Sequence, residues 1–325
     1  MAFSADQLLE KVNTYLATMP YVREPKGLYA PIEYVLSLGG KRIRPVLMLL
    51  SYQLYKENVD DILPQAAGIE TYHNYTLLHD DLMDCADMRR NKPTVHKVWD
   101  ENTAILSGDA MLVLAYRLMN NCPGRYLKQV MDIFSQTALE ICEGQQWDME
   151  FETRNDVTVP EYMEMIRLKT SVLLSAALKI GAVLGGASED DARKLYDFGI
   201  KMGLAFQLQD DYLDVYGDSK VFGKNIGGDI LCNKKTFMLI NALALADGIQ
   251  RKELEKWIAS TAFCPEEKIK AVTALYDKIG IGGICEEKIN AYYVEGLSLL
   301  ESMAVPSERK EELKSFVCHL MNRKV

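Results

Sequence analysis

The sequence lacks the patterns of several common protein classes. Its four histidines and seven cysteines form no Cys/His cluster and no CxxC pair, which argues against a zinc site. Thiols scattered without regular spacing favour a reducing compartment, so we expect a cytoplasmic protein. The net charge of −9 at pH 7 argues against a general nucleic-acid binder. It does not exclude a phosphorylated substrate, because divalent cations can neutralise acidic side chains.

Long hydrophobic runs are also missing. The N-terminal segment MAFSADQLLEKVNTYL has acidic residues early and no apolar core, which indicates an amphipathic helix and not a secretory signal. The most apolar stretch, residues 171–186, contains Lys179 and is too short to cross a bilayer. We therefore expect no stable insertion into a membrane.

Helical periodicity dominates what is present. Apolar residues make up 48% of the 325 residues, and no window alternates like a strand. The pattern predicts an all-α fold, a single domain over residues 1–325, in which ten or more helices form one bundle around a central cavity. Helices are predicted at 29–55 (one or two), 61–83, 103–120, 125–151, 158–185, 188–216, 234–246, 265–279, 283–303 and 307–321.

Residues 73–90, HNYTLLHDDLMDCADMRR, contain the first strong functional signal. Asp80 and Asp84 are four positions apart, so they share one face of a helix. Carboxylates this close repel each other unless a cation lies between them. Oxygen ligands of this kind suit Mg²⁺, whose other ligands are usually water and substrate phosphates. Arg89 and Arg90 follow, where they could neutralise a phosphate.

A single DDxxD string is a weak signal, because acidic helix ends are common and usually solvated. The segment QLQDDYLD, residues 207–214, repeats the spacing with Asp210, Asp211 and Asp214. Two such motifs are costly in core-forming helices unless they share a function. We call them the first and second aspartate motifs. Facing each other across a cavity, they could hold several Mg²⁺ ions around one diphosphate.

A second group of signals is cationic. The segment GGKRIRP, residues 39–45, places Lys41 and Arg44 three positions apart, on one face if the segment is helical. It is either a solvated basic turn or an anion pocket, in which Gly40 would let the backbone approach closely. His73 shares the helix face of the first aspartate motif. It is either an ordinary core histidine or a hydrogen-bond donor to a phosphate.

Further polar residues interrupt apolar or glycine-rich segments. Lys169 and Thr170 lie in the otherwise apolar RLKTSVLLSAAL, and a buried lysine is costly unless a phosphate or an acidic group pairs with it. Gln207 shares the face of the second aspartate motif. Lys224 and Lys234 belong to a glycine-rich loop and to the start of the next helix. Such a loop either closes over a phosphate or is an ordinary surface loop.

In chain order, GGKRIRP, HNYTLLHDDLMD…RR, LKTS, FQLQDDYLDVYGD and GK…GGD…KKT resemble the trans-type isoprenyl diphosphate synthases, the farnesyl and geranylgeranyl diphosphate synthases. Five motifs in series, over residues 39–236, are far more specific than any one of them. The resemblance implies a short-chain trans-prenyltransferase, a homodimer, that condenses isopentenyl diphosphate with an allylic diphosphate. One departure is Asn91, where glycine often follows the two arginines. We expect little effect, because asparagine adds no charge.

The resemblance also implies a role for each motif residue. Three Mg²⁺ ions around the allylic diphosphate would be held by Asp80 and Asp84 with Asp81 in support, and by Asp210 with Asp211 and Asp214 in support. The allylic diphosphate would also contact Arg89, Lys169, Lys224 and Lys234. Isopentenyl diphosphate would contact Lys41, Arg44, His73 and Arg90. The catalytic residues would be Lys169 with Thr170 and Gln207, the last two lying over the reacting carbons, where a hydroxyl and an amide dipole favour a cation.

Product length should depend on the channel that receives the growing prenyl tail. Tyr75 lies five residues before Asp80, ~7.5 Å along the helix axis. Its ring, with Thr76 beside it, would form the channel floor. In the resembling family such an aromatic residue is typical of short-chain enzymes. Geranylgeranyl diphosphate is therefore the expected product and farnesyl diphosphate the alternative. Plain core packing of Tyr75 is the competing interpretation.

Three other functions were weighed. A class I terpene cyclase would need neither the GGKRIRP pocket nor a second DDxxD motif of this form. A di-iron carboxylate bundle needs paired Glu-x-x-His motifs, and the chain has one, Glu70 to His73. A non-catalytic prenyl synthase subunit would be expected to have lost an aspartate motif, and both are intact here.

Overall fold

Helices make up nearly all regular structure in the computed structural model, which describes residues 3–21, 23–217 and 226–321. They are α1 (Ala5–Thr18), α2 (Lys26–Ser37), α3 (Ile43–Gln53), α4 (Leu63–Met83), α5 (Val95–Val98), α6 (Glu101–Met119), α7 (Gly124–Thr153), α8 (Val159–Ile166), α9 (Val172–Gly185), α10 (Glu189–Tyr216), α11 (Gly228–Leu231), α12 (Phe237–Leu245), α13 (Gly248–Ala259), α14 (Pro265–Ile279), α15 (Ile281–Glu301) and α16 (Ser307–Met321). The prediction of an all-α fold is confirmed.

Three short elements interrupt the helices. A 3₁₀ turn, Val59–Ile62, precedes α4, and a π-helical turn, Arg167–Ser171, joins α8 to α9. Two strands of two residues, β1 (Met88–Arg89) and β2 (Lys92–Pro93), pair antiparallel just after the first aspartate motif. This hairpin was not predicted, because two-residue strands are too short to show an alternating pattern.

The chain divides into two compact units. Each consists of three segments, and the segments of the two units alternate along the sequence. The first unit comprises Met1–Gln136, Ala176–Tyr196 and Met303–Leu313. The second comprises Thr137–Ser175, Asp197–Ser302 and Lys314–Val325. The first aspartate motif and the GGKRIRP segment belong to the first unit, and the second aspartate motif belongs to the second. A single domain over residues 1–325 stays a prediction.

Each unit has its own apolar core. In the first, Ile32, Val35, Leu78 and Met111 belong to a buried cluster to which α2, α4 and α6 contribute. In the second, a larger cluster contains Tyr162, Leu208, Phe237, Leu254 and Tyr276. These cores fix the helices that carry the aspartate motifs, because burial of large apolar side chains is the main stabilising term in folding.

Capping residues explain where several helices begin. Thr158 and Glu161 form a reciprocal capping box at the start of α8, with Pro160 in the first turn. The predicted helices ending at Gly185 and Tyr216 are also confirmed. Helix α13 was missed, although Asp247 and Gln250 form the same kind of capping box before it. The sequence D-x-x-Q was the available signal.

The apolar stretch at residues 171–186 belongs to the helical segment predicted at 158–185, which is observed as Val159–Gly185. Within the described part of the chain, one segment, Val159–Gly185, is long and apolar enough to cross a membrane by length and composition. The stretch alone is shorter than a membrane span, but the π-helical turn joins α8 to α9 without a break, so the helical segment that contains it is long enough. In the protein, 83% of its apolar window is buried. That is the pattern of a core helix.

Candidate functional site

The first aspartate motif forms the C-terminal end of α4. Asp80 and Asp81 lie in the last helical turn, and Asp84 caps the helix, its N–H donating to the carbonyl of Asp80 at 2.9 Å. Asp84 is exposed and Asp80 half-buried, whereas Asp81 is only 5% exposed. The predicted spacing therefore places two carboxylates toward solvent and the middle one inside the unit.

Asp81 is held by Arg89, which the β1–β2 hairpin carries. The guanidinium donates to Asp81 Oδ1 from Nε at 2.9 Å and from Nη2 at 2.6 Å, and Nη2 lies 3.8 Å from Asp80 Oδ2. Burial raises the pKa of Asp81, and the hydrogen bond from Arg89 opposes this shift. The same pairing raises the pKa of Arg89 despite its burial. Arg89 thus neutralises the buried member of the motif.

The hairpin turn also positions Arg90. Arg90 and Asn91 both have positive φ, 52° and 60°. These values match the central residues of a tight two-residue hairpin turn, for which asparagine is well suited. The departure at Asn91 is therefore compatible with the backbone that a glycine would adopt.

The Arg90 guanidinium donates to the carbonyl of Gly39. Gly40 has φ of +135°, a backbone conformation that favours glycine, and a Cβ there would also come within 2.8 Å of that guanidinium.

A basic cluster of three half-buried side chains, Arg44, His73 and Arg90, lies beside this turn. Arg44 Nη1 donates to His73 Nε2 at 3.1 Å, so a neutral His73 carries its proton on Nδ1. Burial lowers the pKa of His73 well below its usual value, and Arg44 and Arg90 lower it further. Burial also lowers the pKa of Arg44 to about 10. Among the described residues, Arg44 Nε is buried without a hydrogen-bond partner. The cluster therefore has donor capacity left for an anion.

The carboxylate of Glu70, whose charge acts on Arg44 and Arg90, is occupied by a different arginine. Arg42 donates from Nη1 to Glu70 Oε1 at 2.7 Å and from Nη2 to the carbonyl of Leu36 at 2.7 Å. Glu70 also accepts from Asn74 Nδ2 at 2.8 Å. Arg42 has φ of 46° and caps α3, so the helix begins at Ile43. Lys41 precedes the helix, so the condition under which Lys41 and Arg44 would share a helix face is not met.

The second aspartate motif lies in the last two turns of α10. Asp210 and Asp214 are half-buried, and Asp214 Oδ2 accepts from the backbone N–H of Asp229 at 3.0 Å. Asp211 is 4% exposed. Its carboxylate accepts from the Tyr162 hydroxyl and from Gln207 Nε2, the latter at 3.2 Å. Burial raises the pKa of Asp211 to about 7, opposed by these hydrogen bonds.

The π-helical turn places Lys169 and Thr170 in the same unit. Thr170 Oγ1 donates to Gln207 Oε1 at 3.2 Å, and Lys169 Nζ lies 2.6 Å from Asp148 Oδ2. The sequence left open whether a phosphate or an acidic group pairs with Lys169, and the structure shows Asp148. A Cβ at Gly144 would lie 2.4 Å from the backbone nitrogen of Lys169. A bulkier residue at position 144 would thus displace the turn.

The remaining predicted residues are placed as follows. Lys234 is exposed between α11 and α12, and its N–H donates to the carbonyl of Asp229 at 2.9 Å. Lys224 lies outside the described residues. Tyr75 is half-buried, with ring centroids 5.4 Å from Tyr72 and 4.9 Å from His79. Thr76 Oγ1 donates to the carbonyl of residue 73 at 2.8 Å.

The carboxylates fit a hard cation that is only partly ligated by protein. No group of three or more His, Cys, Asp or Glu side chains in the described part of the chain converges closely enough to hold a metal alone. Mg²⁺ does not require such a cage, because one or two carboxylates with water and substrate phosphates complete its octahedron. The donors that each aspartate motif turns toward solvent are all oxygens, as Mg²⁺ prefers.

Comparison with known proteins identifies the family. The family model described as "Polyprenyl synthetase" matches residues 25–276. The chain belongs to the polyprenyl synthetase family. Its relatives carry the names of prenyltransferases, so this polyprenyl synthetase is an enzyme of that class. The resemblance inferred from the five motifs is therefore confirmed at the level of the family.

Three relatives show which products are represented. A short chain isoprenyl diphosphate synthase of Methanocaldococcus jannaschii is 41% identical over 273 residues, 84% of this chain and 83% of the relative. A geranylgeranyl diphosphate synthase of Methanosarcina mazei is 46% identical over 224 residues, 68% of this chain and 69% of the relative. A geranylfarnesyl diphosphate synthase of Aeropyrum pernix is 34% identical, over 92% of this chain and 95% of the relative.

A solved structure agrees in fold over the whole chain. The crystal structure of a geranylgeranyl pyrophosphate synthase superposes with a TM-score of 0.92 and 44% sequence identity. The match covers 99% of this chain and 98% of that one. The polyprenyl synthetase fold therefore extends beyond the residues that the family model matches.

Proposed function

We propose that this polyprenyl synthetase is a geranylgeranyl diphosphate synthase. It condenses isopentenyl diphosphate with an allylic diphosphate, which is dimethylallyl, geranyl or farnesyl diphosphate, and farnesyl diphosphate is the alternative product. The observation that carries the proposal is the half-buried basic cluster of Arg44, His73 and Arg90. Glu70, whose charge acts on Arg44 and Arg90, is already paired with Arg42. Positive charges that are partly withdrawn from water are costly unless an anion neutralises them.

Isopentenyl diphosphate is the anion that we assign to this cluster. Arg44 supplies a buried, unpartnered Nε donor, and a neutral His73 supplies the N–H of Nδ1. Arg90 is held against the Gly39–Gly40 backbone, and Lys41 lies at the exposed edge of the same turn. Charge-assisted hydrogen bonds from arginine to phosphate oxygens are among the strongest available to a protein. The cluster would thus bind isopentenyl diphosphate through its diphosphate group, which is at the opposite end of the substrate from the reacting double bond.

The allylic diphosphate is assigned to the aspartate motifs and the remaining cations. Asp80, Asp84, Asp210 and Asp214 would hold Mg²⁺, with three ions expected from the family resemblance. When bound, the metal would neutralise the leaving diphosphate and so lower the barrier to breaking its C–O bond. Arg89, Lys169, Lys224 and Lys234 would contact the same diphosphate. Lys169 would exchange its carboxylate partner, Asp148, for a phosphate oxygen.

The reaction then forms one carbon–carbon bond and releases diphosphate. The C–O bond of the allylic substrate breaks, and the allylic carbon becomes cationic. The Thr170 hydroxyl oxygen and the Gln207 amide oxygen present negative dipole ends that favour this cation. The double bond of isopentenyl diphosphate attacks the cation, and the released diphosphate accepts the proton that is lost. Water must be excluded, because it would capture the cation.

The proposed product length follows from Tyr75. Its ring lies on α4 below Asp80 and packs against Tyr72, whose own ring lies 5.2 Å from that of Phe134. Because the ring is packed in this way, a growing prenyl tail would not easily displace it. We assign Tyr75, with Thr76 beside it, as the floor of the tail channel. We further propose that the enzyme is a cytoplasmic homodimer.

A product assay tests the proposed function. The purified protein is incubated with Mg²⁺, isopentenyl diphosphate and, separately, dimethylallyl, geranyl and farnesyl diphosphate, and products are measured by mass spectrometry. Elongation that stops at twenty carbons is the expected result. A stop at fifteen carbons would establish the alternative, and a longer product would remove Tyr75 as the floor.

Two outcomes would overturn the reaction class itself. A hydrocarbon or alcohol formed without elongation would indicate a class I terpene cyclase. No reaction with any primer would indicate a non-catalytic subunit. The di-iron alternative has lost its structural basis, because the carboxylate of Glu70 is enclosed by Arg42 and Asn74.

A further inference from the structure

Asp211 differs from its neighbours in the second aspartate motif because its carboxylate is enclosed by uncharged donors. The side chain is 4% exposed, whereas Asp210 and Asp214 are half-buried. Oδ2 accepts from the Tyr162 hydroxyl, and Oδ1 accepts from Gln207 Nε2. Both oxygens are thus engaged by protein groups. The carboxylate therefore faces the interior of the unit, whereas the half-buried Asp210 and Asp214 are the members of the motif that solvent reaches.

Tyr162 is held in place by the core of the second unit. It is 1% exposed and belongs to the buried apolar cluster of the second unit. It lies in the second turn of α8, which the Thr158–Glu161 capping box begins. Its position is therefore set by helix geometry and by packing, so its hydroxyl is a rigid donor.

The carboxylate of Asp211 in turn fixes the orientation of Gln207. An ionised carboxylate only accepts, so while Asp211 carries its charge the amide atom that faces Oδ1 must be the nitrogen of Gln207. The amide oxygen then lies on the side of Thr170, whose hydroxyl donates to it at 3.2 Å. Without Asp211 nothing in this chain of contacts would distinguish the two orientations of the amide. A flipped amide would present N–H groups, which repel a developing cation.

We propose that Tyr162 and Asp211 are positioning residues that orient the Gln207 amide oxygen toward the allylic carbon, and that Asp211 is not a metal ligand. The proposal rests on the proposed function, since it assigns Asp211 to the prenyl cation and only Asp210 and Asp214 to Mg²⁺. It also assigns a role to Tyr162, which no sequence motif indicated.

Three variants separate positioning from metal binding. Tyr162→Phe removes only the hydroxyl, Asp211→Asn removes only the charge, and Asp210→Asn removes an assigned metal ligand. Binding is measured by calorimetry at several Mg²⁺ concentrations with dimethylallyl thiolodiphosphate, whose C–S bond does not ionise. We expect Asp210→Asn to raise the Mg²⁺ concentration needed for binding. Tyr162→Phe and Asp211→Asn should leave it unchanged.

Steady-state kinetics at saturating Mg²⁺ provide the second measurement. Tyr162→Phe should lower kcat about tenfold, the size expected for one hydrogen bond to a charged group, with unchanged KM values. Tyr52→Phe is the matched control, because Tyr52 is also 1% exposed and donates to a carboxylate, Asp61, at 3.2 Å. Its kcat should equal that of the unmodified enzyme.

A double-mutant cycle tests whether Tyr162 acts through Gln207. If it does, Tyr162→Phe has no further effect on kcat in a Gln207→Ala background. Equal losses in both backgrounds would overturn the proposal, as would a raised Mg²⁺ requirement in Tyr162→Phe or Asp211→Asn. An inactive unmodified enzyme would instead refute the proposed function. If Tyr162→Phe does not fold, Asp211→Asn carries the same cycle.

Discussion

The two aspartate motifs share a spacing, but their buried middle carboxylates are stabilised by different kinds of partner. Asp81 and Asp211 are both nearly buried, at 5% and 4% exposure, while the outer aspartates are more accessible. Arg89 neutralises Asp81 with a charge, whereas the hydroxyl of Tyr162 and the amide of Gln207 bind Asp211 without one. In this protein a DDxxD string therefore consists of two outer carboxylates and one inward-facing carboxylate, whose partner differs between the motifs.

The largest expected effect comes from the outer aspartates, in which the motifs are alike. Asp80→Ala and Asp210→Ala should each lower kcat at least about 10²–10³-fold, because each removes charge that helps bind the cation opposite the leaving group. Circular dichroism should show an intact helical fold. Asp87→Ala is the control, since Asp87 is exposed after the first motif and pairs with Lys97. A near-normal rate for either variant would refute the metal assignment of that motif.

The spacing of the outer aspartates was predictable because it depends on local helix geometry. Asp80, Asp84 and Arg89 could be placed together from sequence, since the helix period and the following turn bring them close. The burial of Asp81 could not be predicted, because the hairpin that carries Arg89 is closed by a turn with two residues at positive φ. The offset of Lys41 from Arg44 was missed for a similar reason. Arg42 adopts a left-handed backbone that delays the start of α3.

The second motif was less predictable because its partners are distant in sequence. Tyr162 lies 49 positions from Asp211 and carried no motif signal. The π-helical turn that presents Lys169 and Thr170 also depends on tertiary packing. Gly144 on one side and Gly203 on the other leave it room, and a Cβ at Gly203 would lie 2.6 Å from Ser171. Such turns commonly mark functional sites, but periodicity alone does not reveal them.

The free energy of unfolding should depend on the charged partner of Asp81, which is Arg89. Asp211 has no such charged hydrogen-bond partner among the groups described above. Arg89→Ala leaves Asp81 buried without its cation, so the free energy of unfolding should fall by about 1–2 kcal/mol, the lower range for a partly exposed pair. The variant should recover as pH falls, because burial raises the pKa of Asp81 and protonation removes the uncompensated charge. Urea unfolding at pH 5 and pH 8 without Mg²⁺ measures this.

Asp81→Asn provides the complementary test of that ion pair. In an Asp81→Asn background, Arg89→Ala should cost less than in the unmodified enzyme, because the buried charge is already gone. An equal cost in both backgrounds, or a loss that grows at low pH, would show that Arg89 stabilises the hairpin through other contacts.

A substitution at the residue five positions before the first motif should have the smallest effect on turnover and the largest effect on the chain length of the product. The same position before the second motif provides the comparison. Tyr75 occupies this position before Asp80, whereas before Asp210 it is Ala205, which is fully buried. Only the first motif therefore has a large ring one and a half turns up its helix. Tyr75→Ala removes that ring and should extend products beyond twenty carbons while kcat for the first condensation changes little. Tyr75→Phe keeps the ring and should keep the product, as mass spectrometry of the prenyl chains would show. An unchanged product in Tyr75→Ala would mean that the ring only packs the core, and that the tail is stopped by a different wall of the first unit.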